Sequence, residues 1–253
     1  MMTCGVVLLA VARGKAAEAN GRPVEGELPI IAKARAAYGP EAALDALQSV
    51  HFTGSVTTED SSQPGKQRTA AIDAVFEKPD RHRFMVTSDQ AIETTVLDGY
   101  GGWVRVQDRA DPAKARLTFL NTEQVKRLRA SVWESLYYFR GLERIHGSVE
   151  DRGTATVDGV TCEKVAFVHS PTIAFIRYFD VASGRLVQSE TESGMTMREE
   201  GEITAGGIRF PKKLTTIKKL GDRTQTVTIT YDRVTVNEPL PAGAYAAPLR
   251  PRS

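Results

Sequence analysis

Chemistry in this 253-residue chain would have to come from a few residue types at particular spacings, and each candidate set falls short of a site. The four histidines, His51, His82, His146 and His169, are far apart. None has a second histidine four residues on, the spacing that puts two metal ligands on one helix face. Cys162 lies mid-strand between Thr161 and Glu163 with no local signature of an activated thiol, so it reads as structural. No Gly-x-Ser-x-Gly elbow offers an activated serine. Glu199, Glu200 and Glu202 occur in ordinary exposed β context, which gives no means of pairing two carboxylates at catalytic distance. The run Asp98-Gly99-Tyr100-Gly101-Gly102-Trp103 imitates a phosphate loop. It lacks the Lys-Ser/Thr ending and leads into a strand, not into the helix N-terminus that would hold a phosphate, so it reads as a hairpin turn. No catalytic residue, metal or cofactor is expected, and the chain is not expected to be an enzyme.

The elements around these residues are mostly strands. From Ile173 to Val236 the chain reads as a meander: Ile173 to Asp180, Arg185 to Thr191, Thr196 to Ile203, Ile208 to Lys218 and Thr224 to Val236. Ser183-Gly184, Ser193-Gly194, Gly206-Gly207 and Gly221-Asp222 supply the turn residues between them. In the last strand Val227, Ile229 and Tyr231 alternate with threonines, so one face is apolar and must be covered. A second β block runs from Val50 to Leu120, with Ala70, Ile72, Ala74 and Phe76 on one face of a long strand and Phe84 and Val86 on one face of the next. Between the blocks, Asn121 to Phe139 reads as a helix: Asn121 is a good N-cap with Gln124 as its capping-box partner. Val125, Leu128, Val132, Leu136 and Phe139 form its apolar stripe. Two shorter helices, Leu28 to Ala37 and Pro40 to Gln48, precede the first strand. The turn style continues on both sides of the long helix and no linker intervenes, so the two blocks are read as one sheet and one domain, residues 28–253.

Lys plus Arg number 33 against 31 acidic residues, and both signs are interspersed, which argues against a nucleic-acid partner. Gly5 to Ala12 is a short apolar run, and Ala17-Glu18-Ala19 fits a signal-peptidase site, so residues 1–19 read as a signal peptide and 20–27 as a polar linker. Periplasmic localisation follows as the expectation; an unprocessed cytoplasmic tail is the rival reading, because Met1 to Cys4 holds no Lys or Arg.

From Thr154 onward a pattern emerges: Thr156 to Val165 around Asp158-Gly159, then Tyr178-Phe179-Asp180 with Ser183-Gly184-Arg185-Leu186, Gly207-Ile208-Arg209-Phe210-Pro211, and Val236-Asn237 with Tyr245 and Pro248. With Ala42 to Gly54 and Leu97-Asp98-Gly99 plus Trp103 in the front half, it resembles the bacterial outer-membrane lipoprotein-sorting proteins of the LolA/LolB-like superfamily. The resemblance implies a mainly β (α+β) fold, a single curled antiparallel sheet forming a half-open barrel closed by helices, and an apolar cavity for acyl chains. Strand numbers of about ten are where open sheets begin to curl.

Two hypotheses follow. In the first, the chain is a periplasmic carrier for lipid or lipoprotein acyl chains, making transient contact with a membrane. Its ligand-binding inner face is formed by Phe84, Val86, Trp103, Val227, Ile229 and Tyr231, with Leu128, Val132 and Leu136 from the helix and the adaptable Met195 and Met197. In the second, the same half-barrel is a non-carrier sensor or scaffold for an envelope protein partner, its interior filled by its own side chains. The long helix is pivotal to both. As a lid, it would turn its stripe to the cavity and leave Lys126, Arg127 and Arg129 in solvent near the entrance, where they could also meet anionic lipid or a partner protein.

Overall fold

The period-two segments assemble, in the computed structural model, into one antiparallel sheet; the structure describes residues 22–23 and 26–248. After a two-residue strand β1 (Arg22–Pro23) and helices α1 (Pro29–Tyr38) and α2 (Glu41–Ala46) come β2 (Ser49–Asp60), β3 (Gln67–Glu77), β4 (Arg81–Thr87), β5 (Ala91–Asp98), β6 (Gly101–Asp108) and β7 (Ala115–Phe119). Helix α3 (Thr122–Leu136) and a 3-10 turn at Leu142–Ile145 lead to β8 (Ser148–Val157), β9 (Val160–Ser170), β10 (Ile173–Asp180), β11 (Leu186–Thr191) and β12 (Thr196–Glu200). A small hairpin, β13 (Ile203–Ala205) and β14 (Ile208–Phe210), precedes β15 (Lys213–Leu220) and β16 (Arg223–Val236). The large sheet runs β1-β8-β9-β10-β11-β12-β15-β16-β2-β3-β4-β5-β6-β7 and does not close, so the chain forms the expected half-open barrel.

Three local expectations are corrected. The strand read as Thr196 to Ile203 stops at Glu200, because Gly201 turns through a left-handed φ of 65°. Pro211, which has no N–H to give a ladder, separates β14 from β15, so Ile203 to Phe210 forms its own two-stranded sheet. Arg22–Pro23, read as linker, pairs with Asp151 and Glu150 at the sheet edge. The signal-peptide reading of residues 1–19 lies outside the described residues.

The two β blocks meet where β16 pairs β2, from Gln225 opposite Asp60 to Val236 opposite Val50, with a bulge between Tyr231 and Arg233. Gly54 lies opposite Tyr231, and a Cβ built there would collide with the Thr230 carbonyl oxygen and lie 2.9 Å from the Tyr231 Cα. Bulge and glycine together let the two longest strands bend across each other, which curls the sheet. The inner face thus carries Phe52 and Val56 from β2, Ile72 and Ala74 from β3, and Val227, Tyr231 and Val234 from β16, all buried in the main core with residues of α1 and α3. Inner aromatics pack edge to face: Phe52 meets Phe210 at 5.6 Å and Phe76 at 6.2 Å between ring centroids. Gly54→Ala is expected to lower stability by about 1–3 kcal/mol through overpacking at the bulge; an unchanged denaturant midpoint would show that the strands can part without cost.

Candidate functional site

Helix α3 forms as its sequence dictates. The Asn121 side chain accepts from the Gln124 N–H at 3.0 Å, and the Gln124 side chain accepts from the Asn121 N–H at 2.9 Å, a complete capping box. Val125, Val132 and Leu136 are buried against the sheet, and Leu128 is half-buried at the same interface. The opposite side of the helix is not left to water. Arg127 reaches the Glu192 carboxylate at 2.6 Å and the Thr172 carbonyl at 3.1 Å, while Arg129 pairs with Asp80 at 3.2 Å and lies over the Tyr100 ring. The expectation that these arginines point to solvent is therefore corrected; only Lys126 does, paired with Glu123 three residues away.

Deeper along α3, Glu134 receives Arg177 at 2.5 Å and His169 at 2.8 Å, and all three side chains are at least nine-tenths buried. Arg177 also donates to the Ser189 hydroxyl at 2.8 Å. Burial opposes the Arg177 charge, but Glu134 at hydrogen-bond distance more than offsets this, and its pKa is raised. At the C-terminal end of α3 the chain turns through Tyr138 and Phe139, both with left-handed φ, and the carbonyls of Tyr137 and Tyr138 accept from the buried Arg35 guanidinium of α1. Arg35 is itself paired with Glu41 and Asp45, and its hydrogen bond holds the Glu41 carboxyl below the ordinary range. Breaking a buried pair by removing one partner costs about 3–5 kcal/mol, because the other charge is left uncompensated. A helix tied down in its second turn, at its middle and through the carbonyls that follow its last turn has the attachments of a fixed plug, not those of a detachable lid.

On the inner face, register brings most of the expected residues together. Phe84 and Val86 stand opposite Ala74 and Ile72, Val227 and Ile229 opposite Thr58 and Val56, and Tyr231 opposite Gly54, with Met197 further along the same face through Thr216. Met195 is buried in the turn before β12. Trp103 is elsewhere. It pairs with Val96 on the outer face, where it packs with Tyr245 and donates from its indole N–H to the Tyr245 carbonyl at 3.2 Å. Its placement on the inner face is corrected: the C-terminal segment covers a second, outer apolar patch that needs an aromatic of its own.

What α3 leaves open lies at the other end of the strands. The arginine ties of α3 to Asp80 and Tyr100 lie beside the turns that follow β3 and β5. At the far ends of β2, β3, β4 and β16 opens a cleft of about 700 Å³, and no residue of α3 lines it. Its floor is Val56, Ala70 and Val86; its walls include Thr58, Thr69, Ser88 and Gln225, and its rim carries Asp60, Lys66, Arg68, Asp89 and Arg223. Of the residues expected from sequence only Val86 lines this cleft. Val56 and Ala70 were legible as inner-face positions once the β2–β3 hairpin register is known. A smaller polar pocket of about 390 Å³ lies by Tyr38, Glu199 and Arg209. There the Tyr38 hydroxyl donates to Glu199 at 3.1 Å, and burial pushes the Glu199 carboxyl up against the opposing pull of Arg177.

Among the described residues no three His, Cys, Asp or Glu side chains gather as a metal site, and no helix is long and apolar enough to cross a membrane. Cys162 is buried and its thiol is pushed up by that burial, the reverse of what an activated nucleophile needs.

No family model and no curated protein matches this sequence. The fold does match solved structures. A LolA superfamily protein from Nitrosomonas europaea superposes with a TM-score of 0.56 at 12% identity, covering 86% of this chain and 96% of that one. A domain described as an outer-membrane lipoprotein-sorting protein from Vibrio parahaemolyticus gives 0.53 at 9% identity, covering 85% and 95%. A DUF1329 family protein from Desulfovibrio piger gives 0.53 at 10% identity with the same coverage. The chain thus has a LolA-like fold.

Glu134→Ala should destabilise the domain by about 3–5 kcal/mol in urea titrations, whereas a loss under 1 kcal/mol would restore the lid reading of α3. A second expectation concerns pH. His82 is buried on the inner face beside Phe76, its Nδ1 at 3.0 Å from the Val75 carbonyl, and burial lowers its pKa from 6.5 to about 4. The unfolded chain then binds a proton before the folded one, so this contribution is full above pH 6.5 and is lost as pH falls from 6.5 toward 4. His82→Gln, which keeps a donor but does not titrate, should flatten that decline in denaturation midpoints measured across the window. An unchanged slope would place the titration elsewhere.

Proposed function

We propose that the chain is a carrier that holds an apolar chain, such as the acyl chain of a lipid or lipoprotein, in the rim cleft of the half-barrel, and that it works in the bacterial periplasm without catalysing a reaction. The observation that carries this reading is the cleft of about 700 Å³, whose floor of Val56, Ala70 and Val86 continues the inner apolar face beyond the reach of α3. That size lies within the roughly 300–1,000 Å³ typical of small-molecule sites. Each methylene taken from water contributes about 0.8 kcal/mol, so a short run of them is enough to hold a chain. The LolA-like fold supports the same class of role, and the apolar run Gly5 to Ala12 with Ala17-Glu18-Ala19 supports export.

One observation favours the scaffold reading. Around Arg177 the inner face is filled by the protein's own side chains, with Phe139 against Phe167 and Phe179 and with Glu134 and His169 closing the gap. A packed interior suits a module whose partner is a protein held on its surface. The two readings part on one experiment. Lipids extracted from the protein isolated from its native compartment, and binding of a fluorescent fatty acid, are compared between the parent and Ala70→Trp, which fills the half-buried floor of an open cleft. The carrier reading expects bound lipid in the parent and binding at least about tenfold weaker in the variant, with a melt within a few degrees of the parent. A parent that carries no lipid and binds no fatty acid leaves the scaffold reading standing.

A further inference from the structure

We infer that the rim cleft selects a single-chain amphiphile with an anionic head, carboxylate or phosphate, whose chain lies on Val56, Ala70 and Val86 and whose head is held by Lys66 and Arg68. The inference rests on the carrier reading and specifies its ligand. Arg68 stands two residues before Ala70 in β3, on the same face, and opposite Thr58 of β2, so its side chain belongs to the inner side directly above the floor. Lys66 lines the same opening from the β2–β3 turn. Two of the other charges on the lining, Asp60 and Arg223, are engaged with each other and with Ser62. Asp60 accepts from the Ser62 N–H at 2.8 Å and the Ser62 hydroxyl at 2.6 Å, bonds that hold its carboxyl below the ordinary range, and Arg223 stands 3.5 Å from it. Neither Lys66 nor Arg68 has an acidic partner within 4 Å among the described residues, and Asp89 is the remaining acid on the lining, on the β4–β5 turn across the mouth.

A cation pair above an apolar floor, flanked by Gln63, Gln67 and Gln225, meets the needs of an amphiphile at both ends. The floor removes methylenes from water. The guanidinium of Arg68 offers a planar fork to a carboxylate or phosphate, and Lys66 adds a point charge. A neutral head would leave both cations without a counter-ion, and a cationic head would be repelled. Because the rim is exposed, this selectivity is expected to be modest and sensitive to salt.

The test is titration calorimetry of the whole protein with four twelve-carbon ligands below their micelle concentrations: dodecanoate, dodecyl phosphate, monolauroylglycerol and dodecyltrimethylammonium. The expected result is that an anionic ligand binds about tenfold more tightly than the glyceride, that 1 M salt narrows the difference, and that Lys66→Gln with Arg68→Gln removes the preference for the anionic ligand over the glyceride. A preference for dodecanoate alone or dodecyl phosphate alone supports the inference and names the head. If glyceride and anionic ligands bind alike, or the double variant keeps the preference, the head-group inference is overturned and the carrier reading stands. If none of the four binds, both fall. Because both substituted residues are exposed and have no ion pair among the described residues, the variant should melt with the parent.

Discussion

The pairing of β2 with β16 is the constraint from which the rest of the architecture follows. It joins a strand near the front of the described chain to the last one, merging two blocks separated by α3 into one sheet. The bulge after Tyr231 and the glycine opposite it bend both strands, so their inner residues, Phe52, Val56, Val227 and Tyr231, converge on one side. Once that face is made concave and apolar, water must be kept from it. The remaining elements can be understood by how much of the face each covers.

Helices α1 and α3 cover the larger share, and they are fixed in different ways. Apolar residues of both enter the core, but position is set by charges that cannot be relocated cheaply: Glu134 between Arg177 and His169, and Arg35 beneath the Tyr137 and Tyr138 carbonyls that follow α3. Buried polar clusters of this kind specify one arrangement more than they add net stability. The uncovered share lies at the hairpin ends, where the floor is apolar and the rim is charged. In the proposed carrier a ligand would enter at this end without opening of the helix, and the buried charges that fix α3 and the cleft lie in different parts of the sheet.

Much of this was legible in the sequence because it is local. The capping box at Asn121, the glycine turns and the alternation in Val227, Ile229 and Tyr231 each depend on neighbours a few residues away. The unification of both blocks into one sheet also followed from the turn style. Trp103 was misplaced because alternation gives two faces without saying which is inner: Val104 and Val106 share one face and Trp103 and Arg105 the other, and only a segment some 140 residues later, ending at Tyr245, makes the second face apolar as well. The charge network around Glu134 rests on pairs 35 to 43 residues apart. Its one sequence signal was Arg177 alone in the apolar strand Ile173–Asp180, an inward cation that requires a buried partner. The cleft depended on how far α3 reaches along the inner face, which no local pattern records.

In the proposed carrier, α3 stays in place while the hairpin end receives the ligand. Hydrogen exchange followed by mass spectrometry, on the protein with and without saturating dodecanoate, reads both regions at once. The predicted result is slower exchange in the hairpin segments that border the cleft, residues 56–70, 86–91 and 223–229, with exchange across 122–136 unchanged. Protection or release confined to 122–136, with the hairpin ends unaffected, would contradict it and make the helix the gate.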